Sequence, residues 1–225
     1  MSRSLPVLAI AGLCALTLPA AAETQISVFG GANTNFSSEG KLRGVPSPLV
    51  PDETRTFDWD GDSFEMPPFW GVRGTYWLQS SPQWGFAIDY AHTKAVADIN
   101  YATDSTYRRL EFTDGNNLLM LDVLYRMRPW MNGTLVPYVG GGVGVTIPHV
   151  EVTLAATGDK TFEYQCCGFA AQILAGLEYK LNAKWSLFTE GRLSYSHINA
   201  DLNGGGSFET QLWTPQLAIG LSYRF

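Results

Sequence analysis

The stretch that decides the fold is "QLAIGLSYRF", residues 216–225. An apolar residue occupies every second position: Leu217, Ile219, Leu221, Tyr223 and Phe225. Successive side chains of a β-strand point to opposite faces, so this pattern predicts a strand with one apolar face and one small or polar face that carries Arg224. A soluble sheet would turn the apolar face into a core, whereas a membrane barrel would turn it outward into lipid.

The first residues of the sequence favour the membrane alternative. Arg3 is followed by an apolar run over residues 5–18 and then by three alanines at 20–22. These are the parts of a secretory signal peptide, and the apolar run is too short to cross a bilayer as a helix. We therefore expect residues 1–22 to be a signal peptide and the mature chain to begin at Glu23. Its removal changes the formal net charge from −6 to about −7.

The rest of the sequence is typical of an all-β protein. It contains no run of 18 apolar residues, so we expect no membrane helix. The chain has 23 Gly, 13% aromatic residues and only 16% charged residues, a composition that suits strands. Apolar residues alternate in eight segments, which predict strands at 24–34, 67–78, 84–97, 116–127, 134–148, 166–180, 185–197 and 209–225.

The connections between these predicted strands alternate in length. "QSSPQ" (79–83), "RPWMNG" (128–133) and "LNAK" (181–184) are short. The other connections are long and cover residues 35–66, 98–115, 149–165 and 198–208. Short turns at one end, long loops at the other and an even number of strands are typical of outer-membrane barrels. A secreted soluble β-sandwich, whose strands also alternate, is the competing architecture.

The sequence therefore predicts an all-β fold: one eight-stranded antiparallel transmembrane β-barrel over residues 23–225, with four long extracellular loops. The expected location is the outer membrane of a Gram-negative bacterium. Aromatic residues at the short-turn end predict a belt at the membrane surface: Tyr76, Trp77, Trp84, Tyr125, Trp130, Tyr179, Trp185, Tyr223 and Phe225. An aromatic residue at position 225 also resembles the signal that the barrel-assembly machinery reads.

Charged residues fall on the inward faces of the predicted strands. Because a buried charge costs several kcal/mol unless it is paired, opposite charges are expected to form salt bridges in the lumen: Arg73, Asp89, Asp122, Arg126, Glu178, Glu190, Arg192 and Arg224. The stretch "PYVGGGVGV" (137–145) does not match a dinucleotide motif, because Val145 replaces the last glycine and no helix follows. Its glycines are expected to make room in the lumen for bulky side chains.

Polar residues of the types used in catalysis and metal binding collect at the long-loop end. The three histidines His92, His149 and His197 lie at the outer ends of three upward strands, and strand alternation predicts that His92 and His197 face outward. The first loop holds Asp58, Asp60 and Asp62, whose oxygens are the ligand type that hard cations prefer. A solvated acidic loop and a polar membrane rim are the simpler interpretations of these residues.

Four segments carry a resemblance to a known family. They are "FDWDGDSFEMPPFWGVRGTYW" (57–77), "RLEFTDGNN" (109–117), "PYVGGGVGVTIPHVEV" (137–152) and "TFEYQCCGFAAQ" (161–172). They resemble segments of the outer-membrane lipid A oxidases, and the resemblance spans most of the mature chain. It implies oxidation of the proximal glucosamine of lipid A to 2-aminogluconate with molecular oxygen. It supplies no catalytic residues.

Site residues are therefore assigned from chemistry. We predict His149 and Glu151 near the reaction, with His92 as the next catalytic candidate. Lys94, Arg108 and Arg109 are predicted to hold lipid A phosphates. No motif indicates an organic cofactor, and the oxidation would need a divalent metal ion with His and carboxylate ligands. The expected partners are lipopolysaccharide and outer-membrane lipids; no nucleic-acid partner is indicated, and a monomer is expected.

Two other functions compete with the oxidase. A lipid A 3-O-deacylase presents H-x-S-N on a late strand, but "SHINAD" (196–201) has Asn199 where the serine nucleophile would stand. A non-catalytic surface barrel that serves adhesion or membrane integrity would have the same fold. Only the residues of the loops and of the outer rim argue against that alternative.

Overall fold

The computed structural model describes residues 23–225, so the predicted signal peptide lies outside the described residues. The described part of the chain forms twelve strands and one 3-10 turn (Met131–Gly133). The strands are β1 (Glu23–Asn33), β2 (Ser38–Arg43), β3 (Glu53–Phe57), β4 (Trp59–Asp60), β5 (Trp70–Trp77), β6 (Trp84–Ala97), β7 (Tyr107–Arg126), β8 (Leu135–Leu154), β9 (Lys160–Tyr164), β10 (Gly168–Lys180), β11 (Trp185–Asp201) and β12 (Ser207–Arg224). Between residues 23 and 225 there is no helix with the length and hydrophobicity needed to cross a membrane.

Eight strands close into a ring. Antiparallel neighbours follow the order β1–β5–β6–β7–β8–β10–β11–β12, and β12 pairs back onto β1 from Gln25↔Arg224 to Asn33↔Gln216. Each strand of the ring thus has a hydrogen-bonded neighbour on both sides, which leaves the ring without a free edge. The predicted eight-stranded antiparallel barrel is confirmed.

The outer face of the ring is apolar between two belts of aromatic side chains. On β11 the belts are marked by Trp185 and Tyr195, ten residues apart. At about 3.3 Å per residue and a strand tilt of about 40°, this spacing is roughly 25 Å along the barrel axis, the height of the apolar band of outer-membrane barrels. Within the band, the outward side chains are large and apolar, as at Leu187 and Ile219.

Trp77, which was predicted to lie in the lower belt, is inside the barrel instead. Only 4% of Trp77 is exposed, and its indole Nε1 donates to Oε1 of Gln25 at 3.0 Å. The guanidinium of Arg126 stacks on its ring at 3.6 Å from the centroid. Tyr76 and Trp77 are consecutive strand residues and must face opposite sides, so only Tyr76 can reach the lipid.

Four charged side chains fill the middle of the lumen. Arg73 donates to Asp89 Oδ2 at 2.6 Å and, through its two terminal nitrogens, to both oxygens of Glu190 at 2.9 and 2.7 Å. Arg192 bonds to the same two carboxylates, and the hydroxyl of Tyr138 donates to Glu190 Oε2 at 2.8 Å. Two positive and two negative charges therefore balance in a buried, bidentate network. The predicted pairing is confirmed for these four residues.

A second charged layer lies closer to the short turns. Arg126 donates to Glu23 Oε1 at 2.6 Å, and Arg224 bonds to Glu178. Asp122 differs from the prediction, because both of its oxygens accept from the Gln172 amide at 2.9 Å rather than from an arginine.

The glycines of β8 make room inside the barrel, as predicted. A Cβ atom on Gly142 would lie 2.2 Å from Asp122 Oδ1, and one on Gly140 would lie 2.4 Å from Leu124 Cδ2. The lumen at this level is therefore occupied by side chains from the neighbouring strand β7.

Beyond the upper aromatic belt the barrel continues into a hydrophobic cap, formed by β2, β3 and β4 together with the outer ends of β6, β7, β8, β11 and β12. Its core contains Phe57, Tyr107, Phe112, Phe208 and Leu212. The four long connections between membrane strands are more regular than the sequence suggested. Much of 35–66, 98–115, 149–165 and 198–208 is strand, because these segments carry enough apolar side chains to bury a core of their own.

Candidate functional site

A bulge in β7 shapes the candidate site. Glu111 pairs with Glu151 of β8, whereas Asn116 pairs with Pro148, so five steps along β7 match three along β8. The extra residues project as a bulge around Thr113–Gly115. Gly115 has φ of 117°, and a Cβ atom at this position would lie 2.5 Å from Nδ1 of His92. Both the backbone conformation and the close approach require glycine here.

The bulge brings Asp114 to two residues of β8. Nδ1 of His149 lies 3.2 Å from Oε1 of Glu151 and 3.7 Å from Oδ2 of Asp114. Because β8 continues without interruption through residue 154, His149 and Glu151 share a face, and both are almost fully buried. One ligand atom from each of the three residues lies within 4.8 Å of the others. We call Asp114, His149 and Glu151 the carboxylate–histidine cluster.

Polar and aromatic neighbours fix the orientation of the cluster. Thr113 Oγ1 donates to Glu151 Oε1 at 2.8 Å, and Nη2 of Arg109 lies 2.9 Å from Glu151 Oε2. The edges of the Phe162 and Tyr164 rings, both from β9, approach the His149 ring with centroid distances of 4.6 Å. Asp114 and Glu151 of the cluster line a polar basin of about 500 Å³.

The basin is rich in carboxylates. Glu111 is the direct cross-strand partner of Glu151. Burial raises the pKa of the Glu111 carboxyl, and the nearby carboxylate of Glu151 adds to the rise against the lowering effect of Arg109. Carboxylates outnumber cations among the lining residues, where Lys94 and Lys160 join Arg109, so a further positive charge in the basin would be stabilised.

The ligand atoms of the cluster suit a divalent metal ion. A histidine nitrogen with two carboxylate oxygens is a donor set used by transition metals. Within residues 23–225 no other three His, Cys, Asp or Glu residues bring ligand atoms together in this way. The predicted metal ligands Asp58, Asp60 and Asp62 are exposed and do not converge on one point. The structure thus favours a cation at the carboxylate–histidine cluster rather than at the acidic loop 58–62.

The predicted phosphate-binding cations have three different environments. Arg109 borders the basin and its side chain is 45% exposed. Lys94 was predicted to bind phosphate, but in β6 it is only 2% exposed, and its Nζ donates to the carbonyl of Glu65 at 2.8 Å. Arg108 does not reach the basin, because its guanidinium donates to the carbonyls of Tyr101 and Asp104.

His92 lies on the outward face, as strand alternation predicts, but it is covered rather than exposed. It is 4% exposed, its Nδ1 lies 2.9 Å from Oδ1 of Asn117, and its ring stacks at 6.4 Å from that of Trp70. It contacts the bulge at Gly115, next to Asp114. The third histidine, His197, is on β11 and lies apart from the cluster. Its Nε2 is 4.0 Å from Oε1 of Glu209.

The depth of the cluster follows from the strand register. Trp70, His92, Asn117 and Ile147 form one row across β5, β6, β7 and β8. Trp70 belongs to the upper aromatic belt, and His149 is the next outward position beyond Ile147, about 7 Å further along the strand. The cluster therefore lies on the outer wall just above the apolar band, at the level of lipid headgroups.

Comparison with known proteins identifies the family. The family model for the outer membrane protein β-barrel domain matches residues 5–225. The chain belongs to this family. Membership places the protein in the outer membrane of Gram-negative bacteria, as predicted.

Solved barrels resemble the chain at low identity. Neisserial surface protein A is 14% identical, with a TM-score of 0.45 over 92% of this chain and 98% of that one. The N-terminal barrel domain of OprF from Pseudomonas aeruginosa is 17% identical, with a TM-score of 0.42 over 90% and 97%. Ail of Yersinia pestis is 13% identical, with a TM-score of 0.41 over 90% of this chain and 98% of that one. No curated protein sequence matches the chain.

Sequence reasoning missed Asp114 and Glu111. The signal for Asp114 is the pair Asp114-Gly115 inside a segment that otherwise alternates like a strand. Such a pair marks a turn or a bulge, which re-aims a side chain. Glu111 stands out only once its cross-strand partner is known to be Glu151.

Proposed function

We propose that this outer-membrane barrel is a lipid A oxidase that binds lipid A at the polar basin and oxidises its proximal glucosamine to 2-aminogluconate. The observation that supports the proposal best is the depth of the carboxylate–histidine cluster. The cluster lies on the outer wall, and His149 is two residues further out than Ile147, which shares a row with Trp70. The sugar headgroup of an outer-leaflet lipid lies at that level, whereas a site inside the lumen would be out of its reach.

The reaction class comes from the sequence resemblance, and its balance sets the requirements of the site. The anomeric carbon of a glucosamine hemiacetal loses two electrons and two protons to become a lactone, while molecular oxygen gains them and becomes hydrogen peroxide. Addition of water then opens the lactone to the acid, for a net gain of one oxygen atom. The substrate must therefore carry a free anomeric hydroxyl.

The residues of the basin have distinct roles in this proposal. Asp114, His149 and Glu151 would hold a divalent metal ion, which supplies the redox or Lewis-acid chemistry that protein side chains lack. Thr113 and Arg109 keep the Glu151 carboxylate oriented. Arg109, half-exposed at the edge of the basin, is placed to bind an anionic group of the headgroup.

The test is mass spectrometry of lipid A after expression in a host that lacks the activity and whose lipid A has a free anomeric hydroxyl. We expect a gain of one oxygen on the proximal sugar, only in the presence of molecular oxygen. His149→Ala and Asp114→Asn should abolish the gain of oxygen. His197→Ala should retain it, because His197 lies apart from the cluster.

The same experiment distinguishes the oxidase from a non-catalytic surface barrel. Unchanged lipid A from a correctly folded barrel, shown by heat-modifiable gel mobility, would refute the oxidase and favour a non-catalytic surface barrel. Loss of the free anomeric hydroxyl without a mass gain of one oxygen atom would indicate another modification of the same sugar.

A further inference from the structure

A turn over residues 63–69 lies beside the basin, which Glu65 and Met66 line. Ser63 Oγ accepts from the backbone N–H of Asn33 at 2.7 Å and donates to the carbonyl of Asn33 at 2.9 Å. The N–H of Phe69 donates to the carbonyl of Ser63 at 2.8 Å, and both Ser63 and Phe69 are buried. The two ends of the turn are therefore fixed to the end of β1 and the start of β5.

Between these anchors the turn presents apolar side chains outward. Phe64 is 83% exposed and Met66 is 85% exposed. The turn leads directly into Trp70 of the upper aromatic belt, so both side chains lie close to the membrane surface. A turn held in place by polar contacts has no need of these side chains for its own stability, which indicates an apolar partner outside the chain.

Met66 also lines the polar basin, together with Arg109 and the carboxylates. The turn therefore joins an apolar edge close to the membrane surface to a polar basin at the level of headgroups. This arrangement matches an amphiphile with a polar headgroup and acyl chains. Phe162 and Tyr164 of β9 are not part of the edge, because they pair with Glu151 and His149, at or beyond the level of the cluster, and Nζ of Lys160 lies 4.4 Å from the centroid of the Phe162 ring.

We infer that Phe64 and Met66 bind the acyl chains of lipopolysaccharide whose sugar headgroup occupies the basin. The inference rests on the proposed function for the identity of the headgroup. It does not depend on the oxidation, because acyl contacts select the lipid before any chemistry occurs. A water-soluble sugar would leave both side chains exposed to water.

The experiment measures lipopolysaccharide retained by the purified full-length barrel in mild detergent, by native mass spectrometry. Phe64→Ser combined with Met66→Ser should bind lipopolysaccharide roughly tenfold more weakly, since two apolar contacts are lost. Leu49→Ser is the matched control, because Leu49 is also apolar and exposed in the first long connection but does not line the basin. Heat-modifiable mobility checks that each variant folds.

A photo-crosslinking amino acid at position 64 supplies an independent measurement in vesicles of lipopolysaccharide or of phospholipid alone. Capture of lipopolysaccharide is expected, and equal capture of phospholipid would overturn the assignment of the ligand. Unchanged retention by the double variant would overturn the inference itself. Both measurements are made without oxygen, so they report binding independently of oxidation. Retention lost in the double variant, together with lipid A that stays unmodified in aerobic cells, would support the inference and refute only the oxidase.

Discussion

Replacement of Glu190 by Gln tests whether charge balance holds the barrel together. Glu190 is 1% exposed and accepts three hydrogen bonds of 2.7 to 2.9 Å from Arg73 and Tyr138, in addition to its contact with Arg192. The amide keeps the volume of the side chain but removes its charge. Asp89 would then be the only carboxylate hydrogen-bonded to the two guanidinium groups, so the charges of the network no longer balance.

The magnitude follows from the burial of the network. Removing one partner of a buried ion pair costs about 3–5 kcal/mol, and since the amide oxygen still accepts hydrogen bonds we expect about 3 kcal/mol. With a urea dependence of about 2 kcal/mol per molar, the unfolding midpoint should fall by about 1.5 M. Urea unfolding in lipid vesicles, followed by heat-modifiable gel mobility, measures the shift.

Two further variants make the result decisive. Glu163→Gln applies the same chemical change to an exposed residue of β9 and should leave the midpoint almost unchanged. Glu190→Gln combined with Arg73→Met restores neutrality and should recover part of the loss. A midpoint for Glu190→Gln equal to that of Glu163→Gln would refute the argument that the lumen depends on charge compensation.

Three other changes have defined outcomes. Gly115→Ala should destabilise the barrel by about 1–3 kcal/mol and weaken cation binding at the carboxylate–histidine cluster, measured by isothermal titration, because φ of 117° and the contact with a histidine both exclude a side chain. Brominated lipids should quench the fluorescence of Trp84 but not that of Trp77, as shown by the two single Trp→Phe variants, because only Trp84 faces the lipid. Arg109→Ala should reduce lipopolysaccharide retention, whereas Arg108→Ala should not, since only Arg109 borders the basin; equal effects would contradict that placement.

The barrel could be predicted because its signal is local. A side chain that must face lipid and a neighbour that must face the lumen differ in polarity, so every membrane strand carries the alternation in its own residues. The same alternation identified the inward charges that pair at Arg73 and Glu190. It ended the predicted strand 134–148 just before His149 and Glu151, which the structure places on one face of β8. The cap is different, because its strands bury one face under other loops and are not marked by contact with lipid.

The sequence by itself determined the number of membrane strands, their order and the face that each side chain takes, since these depend on the period of two within each strand. Only the tertiary structure decided which residues meet. Asp114 reaches His149 because β7 gains two residues relative to β8, and Lys94 is buried because the turn at 63–69 folds over it. Such register shifts and long-range contacts depend on the fit between distant segments, and no periodicity within one segment records them.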